Sequence, residues 1–145
     1  MPQSKADEML VNAERLWLSG REAEARQAIQ RAHERYREER DTQGEAQSLT
    51  LLGDIESRMD NLDAARAAYV EARSLHASEG NARHQGEIVA RLGELAHRQG
   101  RNDEARQFYA SAQDLLRAAG DLSAEAHVLK RLGHIERDEG RQDLA

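Results

Sequence analysis

His127 and His134 lie seven residues apart, a spacing that sets both imidazoles on one side of a helix. Metal chemistry on a helix calls for a tighter pattern, two histidines at i and i+4 with an acid between them. The chain has neither HExxH nor any His pair at i, i+4. With no cysteine, thiolate sites are excluded, and the histidines read as titratable surface groups. No glycine-rich loop cradles a phosphate, because every glycine except Gly44 and Gly86 falls at a repeated position. No Ser/His/Asp set or carboxylate pair stands out among 27 acidic residues. Catalysis and cofactor binding are therefore not expected. What these side chains can do is recognise charge.

Composition narrows the partners. The 145 residues carry a net charge of −6, which argues against a protein built to neutralise nucleic-acid phosphates. The alternating run "RAHERYREERD" (Arg31–Asp41) reads as a solvated helix face and not as a nucleic-acid arm. No apolar run approaches the roughly 18 residues a membrane helix needs, and "MPQSKADEML" lacks a signal-peptide core. No membrane partner and a cytoplasmic location follow as expectations. One third of the residues are charged, yet the apolar ones keep a helical period, and the single proline is Pro2.

The elements that carry these residues repeat. In blocks of forty the chain aligns without a gap: Leu52-Gly53, Leu92-Gly93 and Leu132-Gly133 coincide, as do Ala25, Ala65, Ala105 and Ala145, and Ala32, Ala72 and Ala112. Ile29, Tyr69 and Tyr109 share one position, and Ile55, Leu95 and Ile135 another. Breaks recur at Gly20, Asp60, Gly100 and Gly140, and again at 40–41, 80–81 and 120–121. Each unit reads as two helices, in the second unit roughly Gly44 to Met59 and Leu62 to Ser78. Asp63, Asp103 and Asp143 fall in the first turn of the second helix, where exposed N–H groups favour a carboxylate. Gly80 and Gly120 are placed to end helices in the left-handed conformation, with Asn81 and Asp121 as the next N-caps. A glycine inside a helix costs about 1 kcal/mol relative to alanine. Gly53, Gly93 and Gly133 must therefore let another helix approach, and the expected contact is the partner helix of the same unit where Ala65 or Ala105 leaves room.

This pattern resembles the tetratricopeptide repeat. Leu92, Gly93, Gly100, Ala105, Tyr109 and Ala112 fill that motif completely. The second unit matches with Leu52, Gly53, Ala65, Tyr69 and Ala72 but has Asp60 at the turn, and the first has Asn12-Ala13 in place of Leu-Gly. The period is forty where the family's is 34, a long form similar to arrays in bacterial signalling proteins. The resemblance implies an all-α right-handed superhelical solenoid of about seven helices, with antiparallel pairs at residues 4–40, 41–80 and 81–120 and an incomplete unit at 121–145.

It also implies a concave face lined by the first helix of each unit. On that face stand Thr50, Asp54 and Arg58, then Glu87, Arg91, Glu94, His97 and Arg98, then His127, Lys130, Arg131, His134 and Arg137. An acidic chain with a locally basic groove suits a peptide or partner helix that carries carboxylates and an apolar anchor. The other reading of the same residues is a wet face of intrahelical ion pairs. The family's carboxylate clamp would fall on Leu10, Glu14, Leu51, Glu87 and Arg91, one match in five, so a chaperone-binding role is not expected. Trp17 is expected to plug an end of the stack. The chain stops at "GRQDLA", where a further helix should begin, which leaves Leu132 and Ile135 short of cover. Either the sequence is a fragment or a second copy supplies the contact. The functional expectation is a non-catalytic protein-interaction module; the alternative is a structural unit that forms homo-oligomers.

Overall fold

The computed structural model describes residues 4–144, with side chains described for residues 4–140. These residues form seven α-helices and no strand: α1 (Lys5–Leu18), α2 (Glu22–Glu38), α3 (Thr42–Arg58), α4 (Leu62–Ser78), α5 (Ala82–Arg98), α6 (Asn102–Ala118) and α7 (Leu122–Leu144). The architecture is an all-α helical repeat of the solenoid class. Two compact units divide it, one ending at Glu79 and the other starting at Gly80. In the first, each helix packs mainly on its sequence neighbour, α1 on α2, α2 on α3, and α3 on α4; in the second, α5 packs on α6 and α6 on α7.

The turns are backbone devices. A left-handed residue closes each one, glycine at Gly20, Gly80, Gly100 and Gly120, but Arg40 (φ 57°) and Asp60 (φ 63°) at the other two. The N–H two residues past the cap reaches back to a carbonyl in the last helical turn, as from Arg21 to Leu16 (2.9 Å), Asn61 to Glu56 (2.8 Å) and Asp121 to Leu116 (3.0 Å). This is the Schellman pattern, which satisfies carbonyls that the helix leaves open. The next helix is then capped. Asp41 Oδ1 accepts from Gly44 N (2.9 Å), which starts α3 two residues before the expected Gly44. Asn81 and Asp121 cap α5 and α7 as their position foretold, accepting from His84 N and Ala124 N. Ser4 and Asp7 form a capping box on α1.

The fourth turn does not form. Helix α7 runs through Gly140 to Leu144, so Asp143 belongs to a continuing helix and starts no new one, and Ala145 lies outside the described residues. The expectation for Ile135 is also corrected. Ile135 is completely buried and Leu132 packs against the same cluster, because Val89 and Ala96 of α5 and Tyr109, Ala112 and Leu116 of α6 supply the cover. The uncovered residues are Leu122 and Leu129, 74% and 46% exposed.

The helical glycines make the close approaches, though not to alanines. A Cβ on Gly53 would lie 2.5 Å from the ring of Tyr69, and one on Gly93 would lie 3.0 Å from that of Tyr109. Gly93 meets Tyr109 near the turn, and Gly86 meets Leu116 towards the far end, the register of an antiparallel pair. Gly44 and Gly86, outside the Leu-Gly pattern, are just as tightly held: a Cβ on Gly44 would clash with the Tyr36 ring, and one on Gly86 would lie 2.8 Å from the Leu116 side chain. Gly133 has open space.

Polar ties join the layers. Tyr36 Oη donates to Asp7 Oδ1 at 2.6 Å and links α2 to α1. That bond, more than any other group, holds the Asp7 carboxyl below the ordinary value, whereas burial, helped by Asp7, pushes the Tyr36 phenol well up. Glu56, buried on α3, pairs with Arg26 Nε of α2 at 2.6 Å and accepts from Asn61 Nδ2 at 3.0 Å. The same link recurs in the second unit, where Arg106 of α6 binds Glu136 of α7 at 2.8 Å.

These contacts predict different signs at equivalent positions. Gly53→Ala is expected to destabilise by about 1–3 kcal/mol, because the ring of Tyr69 must move inside a packed layer. Gly133→Ala is expected to stabilise by up to about 1 kcal/mol, since a helix propensity gain meets no clash. Urea unfolding of the two variants measures both, and equal shifts would contradict the packing described.

Candidate partner-binding groove

In the second unit, α5 and α7 stand on either side of a floor made by α6. Between them runs a groove of about 860 Å³. Its floor is apolar, with Tyr109 and Leu116 from α6, Ala90 from α5, and Ala124 and Val128 from α7. Its rims are charged, with Arg83, Glu87, Arg91 and Glu94 on α5, and Asp121, His127, Lys130 and Arg131 along α7. A second cavity of about 410 Å³ adjoins it, lined by His97, His127, Lys130, Arg131, His134 and Asp138. Lys130 and Arg131 border both.

The charges are not evenly committed. Arg83 Nε lies 3.2 Å from Asp121 Oδ2 and 3.5 Å from Glu87 Oε1, so the acids at one end of the groove are engaged. Asp138 faces His97 at 3.6 Å. Lys130 and Arg131 form no ion pair with any described residue, and both reach the α7 rim because they precede the Leu132-Gly133 pair. Charge left over at this end is therefore cationic.

Of the residues named from sequence, Glu87, Arg91, Glu94, His127, Lys130 and Arg131 line the groove, and His97 and His134 line the second cavity with three of them. Arg98 and Arg137 are exposed and border neither. Thr50, Asp54 and Arg58 stand on α3 in the first unit. There Thr50 Oγ1 donates to the Ala46 carbonyl (2.9 Å), Asp54 accepts from Tyr69 Oη, and the Arg58 guanidinium lies 5.4 Å over the Trp17 ring. Trp17 packs with Leu16 against Ala13, Ala25, Ile29 and Ile55. Sequence reasoning passed over Arg83, Tyr109 and Asp121. Tyr109 sits at a repeated packing position, and nothing in the sequence announces that its hydroxyl lacks an acceptor.

That hydroxyl is the unusual group of the groove. Tyr109 is 1% exposed, and its Oη is buried without a hydrogen-bond partner. Burial pushes the phenol up to about 12, Arg131 opposes the shift, and Glu94 adds to it.

Comparison with known proteins supports the fold. Residues 46–75 match the tetratricopeptide repeat family model. BtubC (BKLC) from P. vanneervenii has a similar crystal structure, with a TM-score of 0.61 and 15% sequence identity over 97% of this chain and 68% of that one. At that identity the likeness concerns fold alone. No curated protein matches the sequence.

Tyr69 lies inside the matched stretch, and Tyr109 lies forty residues after Tyr69. Their hydroxyls should behave oppositely. Tyr69→Phe strips a donor from the Asp54 carboxylate and is expected to destabilise by about 1.5–3 kcal/mol, as for a bond to a charged group. Tyr109→Phe removes an unpaired buried hydroxyl and is expected to leave stability unchanged or raise it by about 1 kcal/mol. Denaturant midpoints of the two variants provide the comparison.

Proposed function

We propose that this chain, which carries a tetratricopeptide-type repeat, is a non-catalytic protein-interaction module whose α5–α7 groove holds an acidic peptide or partner helix. Tetratricopeptide repeats generally mediate protein–protein contact or scaffolding, and they are typically non-catalytic. The observation that carries the finer reading is the uncommitted pair Lys130 and Arg131 above an apolar floor. Guanidinium and ammonium groups that form no ion pair with a described residue, beside buried Leu116 and Val128, suit a segment with carboxylates flanking an apolar anchor. Arg91 adds a further cationic side chain to the rim, and His97, His127 and His134 line the second cavity.

A second reading rests on a different face. Leu122 and Leu129 are exposed on α7, and Gly133 beside them has open space where Gly53 and Gly93 meet a tyrosine ring. That surface favours self-association of the chain as a structural unit, with α7 of a second copy as cover.

The first reading predicts that short peptides containing glutamates and a leucine bind the chain, whereas their lysine counterparts do not. The double variant Lys130→Glu, Arg131→Glu should weaken binding at least about tenfold, and raised salt should weaken it as well. Fluorescence anisotropy measures the affinity, and binding that ignores both changes would overturn the groove. Sedimentation equilibrium decides the second reading: a monomer at all concentrations removes it, and a dimer dispersed by Leu129→Asp supports it.

A further inference from the structure

Tyr69 and Tyr109 hold one position of the forty-residue repeat, and each lies with its ring against the helical glycine of its own pair. Their hydroxyls nevertheless differ. Tyr69 Oη donates to Asp54. The residue forty positions after Asp54 is Glu94, which is exposed, and Tyr109 Oη donates to no described residue. A buried hydroxyl without an acceptor is unfavourable, and such groups mark places where a partner completes the structure. Tyr109 forms part of the floor beneath Arg131, whose positive charge acts on the phenol. The first unit therefore has a carboxylate bonded to its tyrosine, and the second has the tyrosine, a cation and a groove, but no described carboxylate bonded to the hydroxyl.

We infer that Tyr109 Oη is a binding group of the groove, donating its hydrogen bond to a carboxylate of the bound acidic segment while Arg131 supplies the counter-charge. This rests on the acidic-partner reading above and names the atom that fixes one ligand side chain. A carboxylate suits the arrangement because its two oxygens can serve two donors at once, one accepting from the phenol and the other from the guanidinium. The phenol oxygen is covered, with Arg131 and Glu94 as the charged groups beside it. Both stand on flexible stems, whose rotamers can change when a carboxylate enters the groove. Glu94 is the internal competitor: swung inward, it would do for Tyr109 what Asp54 does for Tyr69.

The test uses the full chain and a panel of fluorescent peptides that carry glutamates and a leucine, each made with a free and an amidated C-terminus. Tyr109→Phe is expected to weaken binding about tenfold without lowering the thermal midpoint, because only the bond to the ligand is lost. Glu94→Gln is expected to tighten binding, since a charged competitor is removed. If amidation abolishes binding, the carboxylate is the peptide's terminus; if it does not, a glutamate side chain supplies it, and either result supports the assignment. Wild-type affinity in Tyr109→Phe, together with loss in Arg131→Gln, would overturn the role of the hydroxyl and leave the acidic groove standing. Failure of every peptide on the wild-type chain would overturn the groove, and the hydroxyl's role with it.

Discussion

Everything in this molecule depends on how closely one helix can lie against the next. At Gly53 and Gly93 the backbone of one helix rests on a tyrosine ring of its partner; a Cβ would clash with the ring at Gly53 and press tightly on it at Gly93. The contact costs helix propensity, which the burial of Tyr69 and Tyr109 offsets, since an aromatic ring removes a large apolar area from water. Ala65, Ala72, Ala105 and Ala112, all fully buried, extend the close contact along the same faces. Short turns closed by a left-handed residue leave the two helices little choice of angle.

With the ring fixed, the end of the phenol is fixed too, and the two units treat it differently. In one it is bonded to Asp54; in the other it stops beneath a cationic rim without an acceptor. Packing and recognition thus share a residue. Glycine and ring serve the fold, and the single oxygen at the ring's far end is left to serve contact with another molecule.

Much of this was legible in the sequence. The forty-residue period located the seven described helices, because apolar spacing and small residues recur where helices touch, and Gly80 and Gly120 marked left-handed helix ends that few other residues adopt. Asn81 and Asp121 could be read as caps because capping is a matter of local spacing. What stayed hidden depends on partners in other helices. Gly44 and Gly86 looked incidental, since Tyr36 and Leu116, which press on them, come from neighbouring helices at no fixed sequence offset. Gly140 carried the signature of a turn but lies within α7, which continues to Leu144. Of the site, the charged rim could be listed from helical positions, but the pairing of Arg83 with Asp121, thirty-eight residues apart, could not. Neither could the difference between Asp54 and Glu94, which is one methylene in sequence and a hydrogen bond in space.

The polar links from Arg26 to Glu56 and from Arg106 to Glu136 each span thirty residues, and they join a helix to the one immediately after it. Within each unit, then, even these ties reach no further along the chain than the adjoining helix. Structure of this kind forms quickly, because little loop entropy must be lost before a contact is gained. Any helix pair can act as a nucleus, with neighbours adding to it in either direction. The ion pairs would then act late in folding, tightening a join that the glycine–tyrosine contacts had already made.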